Sequence, residues 1–157
     1  MPASLLEPTG TRKLRRARCS QRNQIYHLTA ATQGRKRVFT DLAAGRTIVQ
    51  SLRHEAEIGR CETLCFVLMP DHLHWLMQLK TGESISRIVN DVKGHSARRL
   101  NQILAQRGRI WQKGFHDHAM RTDEDVVATA RYIIANPVRA GLVARVGDYP
   151  LWDAVWV

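Results

Sequence analysis

The segment from Glu62 to Leu79 constrains the fold more than any other part of this chain. Glu62 to Met69 is dense in apolar residues and reads as a strand. Pro70-Asp71 carries turn chemistry and forces a tight reversal. His72 to Leu79 then returns as the second arm of a hairpin. Alternate side chains of a strand share a face, so His72 and His74 point the same way. Leu73, Trp75 and Met77 take the opposite face, where a core belongs. Two neutral imidazoles on one face are two preorganised metal ligands. The bland alternative is a pair of satisfied histidines on a sheet face.

About sixty residues later the chain reads Ala130-Arg131-Tyr132-Ile133-Ile134-Ala135-Asn136-Pro137-Val138-Arg139-Ala140-Gly141-Leu142-Val143. Tyr132 and Asn136 are four apart in a helix-like stretch and share a helix face. With Asp125 and Thr129 they form one polar stripe, which suits a cleft or plain solvent. Tyr132 offers a nucleophilic hydroxyl and Asn136 a third, oxygen-bearing metal ligand. The rival role of Asn136 is to cap the helix end, because Pro137 disfavours helical geometry at the residue before it.

His-hydrophobic-His followed by Tyr-x-x-x-Asn-Pro-Val-Arg-Ala-Gly-Leu-Val resembles the single-tyrosine HUH transposases, of the insertion-sequence-200 kind. The likeness is strongest to their REP-associated branch and runs from Tyr26-His27-Leu28-Thr29 through Val143. It implies a ferredoxin-like fold with the two-histidine strand central. It also implies a metal-dependent endonuclease and strand transferase acting on single-stranded DNA with hairpin or palindromic repeats. Tyr132 would attack the phosphodiester, form a 5′-phosphotyrosine link and release a 3′ hydroxyl. The metal, Mg2+ or Mn2+, would be held by His72, His74 and Asn136. By the same resemblance a monomer is favoured over a homodimer. Family members often carry a histidine two residues after the tyrosine, where this chain has Ile134. The alternative is a non-catalytic single-stranded or hairpin nucleic-acid-binding protein on the same scaffold.

The chain has 157 residues, 44% of them hydrophobic, which suits one core and one domain over 24–157. Its net charge of +10 and isoelectric point of about 10.4 call for a polyanionic partner. No apolar run approaches the roughly 20 residues of a membrane span, and the N-terminus lacks the apolar core of a signal peptide, so a cytoplasmic protein is expected, nucleoid-associated if bacterial. Cys19, Cys61 and Cys65 are too sparse for a disulfide framework. On a regular strand Cys61 and Cys65 would face one side, as small core residues.

Residues 1–23 form a basic arm, with Arg15, Arg16 and Arg18 as DNA contacts. Residues 24–32 read as the first strand, and Gln33-Gly34-Arg35-Lys36-Arg37 as a polar turn. Asp41 caps a helix running to about Ile58. Ser84 opens a long helix whose outer face carries Arg98 and Arg99, and Gly108 ends it. Residues 110–120 make the fourth strand. Thr122-x-x-Asp125 resembles a capping box for a last helix running to Asn136. The element order β-α-β-β-α-β-α predicts an α+β fold, a ferredoxin-like antiparallel sheet with helices packed on one face. Further DNA contacts are expected at Lys113, His116, His118 and Arg139, with Trp111 available for base stacking.

Overall fold

The computed structural model describes residues 20–156. The basic arm, with Arg15, Arg16 and Arg18, therefore lies almost wholly outside the described residues, as does Cys19. The elements in chain order are β1 (Ile25–Ala31), α1 (Leu42–Glu57), β2 (Cys61–Met69), β3 (His72–Leu79), α2 (Ile85–Ile103), β4 (His116–Ala119), α3 (Val126–Ile134), α4 (Asn136–Arg139) and β5 (Trp152–Ala154). Short 3-10 turns fall at Gln33–Arg35, Val38–Thr40 and Val146–Asp148. All neighbouring strands pair antiparallel, in the order β4-β1-β3-β2-β5. The first four strands give the expected ferredoxin-like arrangement, and β5 extends it beyond β2. Strand β3, with both histidines, is central.

Two apolar layers hold the molecule together. On one face Tyr26, Leu28, Phe66, Leu68, Leu73, Trp75 and Met77 meet Ala44, Ile48 and Leu52 of α1 and Ile85, Ile88, Val92 and Leu100 of α2. Each fully buried aliphatic side chain contributes about 1.5–3 kcal/mol. Both helices start at the residues that the sequence marks as caps. The Asp41 side chain accepts from Ala44 N–H and the Ser84 side chain from Arg87 N–H. Gly45 lets α1 approach the end of the chain, since a Cβ there would lie 2.5 Å from Leu151 Cδ1.

The second layer lies on the opposite face, where Cys65, Val67, Met69 and Leu76 meet Ala130 and Ile133 of α3. The two long helices share one face, as expected, but α3 takes the other. The reason is that β2 is apolar on both sides, so a sheet with one covered face would leave Val67 and Met69 in water. A bulge at Leu64 shifts the β2–β3 register between Thr63 and Cys65. It sends Cys61 and Cys65 to opposite layers rather than one. Both are buried, as a core role requires, and burial pushes each thiol up to about 12.

Three local expectations are corrected. The fourth strand is four residues long; Trp111 makes only an isolated bridge to Thr32. Gly114, at φ 81°, breaks the run between them. Asp125, not Thr122, caps α3, accepting from Ala128 N–H. The last helix ends at Ile134 and restarts as α4, with Pro137 in its first turn, instead of stopping at Pro137.

Candidate metal and tyrosine site on the second sheet face

Directly paired residues in a sheet point the same way, and the pairing gathers histidines on one face. His74 pairs with Thr29 on one side and Val67 on the other. His118 pairs with His27, and His116 with Thr29. Five of the seven histidines, His27, His72, His74, His116 and His118, thus share the face that α3 covers in part. The other two, His54 and His95, stack on each other between α1 and α2.

His72 and His74 lie with their ring centroids 4.9 Å apart, edge to face. Each has Nδ1 engaged. His72 Nδ1 is 2.7 Å from Asp71 Oδ1. A carboxylate only accepts, so the His72 proton sits on Nδ1 and Nε2 keeps its lone pair. Asp71 is itself held by Arg35, whose Nε donates to Oδ2 at 3.0 Å. Hydrogen bonds and the Arg35 and His72 charges hold the Asp71 carboxyl below its usual range, although burial opposes them. His74 Nδ1 lies 3.1 Å from His27 Nε2 and 3.3 Å from Thr29 Oγ1. With the proton on His74 Nδ1, these partners accept it and Nε2 is again the ligand atom. Burial, then the charges of His72, His27, Arg139 and Arg35, lowers the His74 pKa to about 3. Burial and the nearby His118 lower that of His27. An imidazole with Nε2 presented is what a cation needs, and the Nδ1 contacts of both rings give this pair the geometry of two ligands to a divalent metal.

Among the described residues no group of three or more His, Cys, Asp or Glu side chains could hold a metal. A third protein ligand, for a metal held here, would be of another type. Asn136 stands at the α3–α4 break. Pro137 has no N–H for the Ile133 carbonyl, and Asn136 Nδ2 supplies one at 2.8 Å. This is the capping role, and it engages the Asn136 amide nitrogen rather than its carboxamide oxygen.

Tyr132 is 64% exposed, whereas Tyr26 is buried and Tyr149 half-buried with its hydroxyl given to the Leu68 carbonyl. Among the described tyrosines only Tyr132 is exposed to solvent. Arg139 clasps it: the guanidinium carbon sits 3.8 Å from the ring centroid, and Nη1 donates to the Tyr132 carbonyl at 2.7 Å. The Arg139 charge also reaches His74.

The expected DNA contacts divide. Arg139, His116 and His118 lie on the histidine side, with His118 Nε2 2.9 Å from Glu124 Oε1. Lys113 is exposed on the loop before β4. Arg98 and Arg99 are exposed but sit on α2, across the sheet from the histidines. Trp111 is corrected as a stacking platform. It is 4% exposed, packs on Phe39 and donates its indole N–H to Ser96, so its faces belong to the core. The supporting residues His27, Thr29, Asp71 and Arg35 are not singled out by the sequence as members of the site. Alternation in Tyr26-His27-Leu28-Thr29 places His27 and Thr29 on one strand face, but only strand pairing shows that the face is that of His74.

The sequence pattern of the family described as "Transposase IS200 like" matches residues 20–136. A Haemophilus influenzae protein, provisionally named a REP-associated tyrosine transposase, is 33% identical over 99 residues, 57% of this chain and 56% of its own. The Escherichia coli REP-associated tyrosine transposase is 31% identical over 91 residues, 57% of this chain and 52% of its own. The chain thus aligns with about half the length of these relatives. A solved structure described as a REP-associated tyrosine transposase bound to a REP hairpin superposes with a TM-score of 0.66. It covers 84% of this chain and 77% of that one at 24% identity, a likeness of fold. With the family pattern spanning β1 through β4, both histidines and Tyr132, the chain belongs to the IS200-like transposase family.

Proposed function

We propose that this protein is a metal-dependent single-strand DNA endonuclease and strand transferase that acts on hairpin or palindromic repeats; the relatives are named REP-associated tyrosine transposases, and one solved structure is bound to a REP hairpin. The observation that carries the reading is the placement of Tyr132. It is the exposed tyrosine among the described residues, on a helix packed against the sheet face that bears His72 and His74.

A divalent cation on His72, His74 and Asn136 would polarise the scissile phosphate and offset its growing negative charge. The His72 and His74 rings are oriented through Asp71, His27 and Thr29, and burial keeps His74 neutral. Tyr132 supplies the nucleophilic oxygen: its O–P bond forms as the phosphorus–O3′ bond breaks, and the departing O3′ takes a proton. The phenolic proton leaves to solvent. Attack by that 3′ hydroxyl, or by another, reverses the step and rejoins DNA without an external energy source. Arg139 is placed to steady both the tyrosine and a phosphate.

The test is incubation of hairpin-forming single-stranded DNA with the protein and Mg2+ or Mn2+. A denaturation-resistant protein–DNA adduct is expected, absent in Tyr132→Phe and in His72→Ala/His74→Ala. An adduct that persists in Tyr132→Phe removes Tyr132 as the nucleophile. Metal-independent binding without cleavage by wild type would establish the non-catalytic reading.

A further inference from the structure

We infer that the basic turn at 33–37 is a phosphate-binding lip that grips single-stranded DNA immediately beside the scissile phosphate. The inference rests on the reading of Tyr132, His72 and His74 given above, and adds a surface to it.

Residues 33–37 are all exposed, yet their backbone is pinned from both ends. Thr32 is fully buried; its N–H donates to Asp71 O, and its hydroxyl donates to the Lys36 carbonyl at 2.7 Å. Gln33 N–H donates to Ile110 O at 2.8 Å. Beyond the turn, Phe39 N–H donates to Pro70 O at 3.0 Å and its ring is buried against Trp111. Gly34 and Arg35 both take left-handed backbone, at φ 63° and 53°. For Arg35 that conformation is unfavourable by itself, and it is held where the side chain meets Asp71.

The turn therefore presents three consecutive cations, Arg35, Lys36 and Arg37, on a rigid support. Arg35 reaches Asp71, which orients His72, and its charge is felt at His74. Lys36 and Arg37 have no carboxylate partner among the described residues and point their charge to solvent. Ordering these groups in advance lowers the entropy lost when phosphates bind. A polyanion threading toward His72 and His74 meets this turn on the side of Asp71, as it meets Arg139 on the side of α4.

The test uses Lys36→Ala/Arg37→Ala and Lys36→Gln/Arg37→Gln, which leave Arg35 and Asp71 in place. Mn2+ affinity and melting temperature should match wild type. Binding to single-stranded hairpin DNA, measured in the Tyr132→Phe background so that nothing is cut, should weaken at every sequence. Its log–log salt slope should flatten by about 1.4, two phosphates at roughly 0.7 each. Neutral methylphosphonates on either side of the scissile position should weaken binding when the turn is intact and have little further effect on the turn variants. Placed several nucleotides away, they should weaken both alike. An unchanged slope, or additive losses at the scissile-proximal positions, overturns the lip while leaving the catalytic reading intact. Failure of the Tyr132→Phe protein itself to bind single-stranded DNA overturns the catalytic reading instead.

Discussion

Burial and neighbouring charges keep His74 neutral far below the ordinary histidine value of 6.5, to about 3. That has a cost in acid. As pH falls below 6.5 the unfolded chain takes a proton at this position that the native state refuses, so stability drops until about pH 3. The loss from one such group is at most about 1.4 kcal/mol per pH unit. Urea midpoints from pH 7 to 4 should therefore slope downward, and His74→Gln should flatten that slope. Next to it, His27 Nε2 lies 3.1 Å from His74 Nδ1 and can accept a proton held there. Outer partners of metal-bound histidines typically matter about 10- to 100-fold in metal affinity. His27→Ala should weaken Mn2+ binding by about tenfold on that scale, and His27→Gln, whose carboxamide oxygen can accept, should recover part of it. Titration calorimetry reads both. Equal affinity in all three proteins would make His27 a bystander.

At the scale of elements, two junctions are held by side chains as well as by backbone. Arg60, between α1 and β2, gathers Glu55 at 3.2 Å, Glu83 at 2.7 Å and Asp91 at 2.9 Å. Glu55 is buried, and its burial raises its pKa while Arg60 opposes the rise. Arg60→Met strands that carboxylate and should cost about 3–5 kcal/mol at pH 7. The penalty should shrink toward pH 5, because a neutral Glu55 is then favoured in the native state. At the α3–α4 break, Asn136 donates to the Ile133 carbonyl, and the proposed function gives its oxygen to the metal as well. Asn136→Asp keeps an oxygen ligand and loses the donor, so it should lower melting temperature yet hold or raise Mn2+ affinity. Asn136→Ala should lower both. A drop in metal affinity with Asp would show that the residue is a cap alone. These elements are legible in the sequence to different degrees. The hairpin at 62–79 and the caps Asp41 and Ser84 depend on local chemistry and can be read directly. The short β4, the bulge at Leu64 and the burial of Trp111 depend on a left-handed Gly114, on register and on tertiary packing. None of these has a local signature.

At the scale of the whole molecule, strand order unites residues far apart in sequence. Spacing alone puts His72 and His74 on one strand face and Tyr132 and Asn136 on one helix face; that these pairs belong to one site comes from the resemblance to the transposase family. Their supports, Asp71, His27 and Arg35, become recognisable only with β1, β3 and the 33–37 turn set side by side. The expectation of a monomer becomes a mixing experiment. Tyr132→Phe and His72→Ala/His74→Ala, combined, should fail to restore adduct formation if one chain supplies the whole site. Recovery of activity would show that helix and histidines come from different chains.

The family pattern ends at residue 136, yet the sheet does not. Strand β5 covers the outer edge of β2, Leu68 N–H donates to Leu151 O, and the Tyr149 hydroxyl caps the Leu68 carbonyl. Strip these away and β2 becomes a nine-residue edge, apolar on both sides through Leu64–Met69 and lined with unpaired amides. Such an edge is a template for strands of other chains. The last stretch of this protein thus acts as a guard on its colloidal behaviour. A chain cut after Asp148 should keep both histidines and Tyr132 and still be lost to aggregates, visible as light scattering and thioflavin binding at concentrations where the intact protein stays clear.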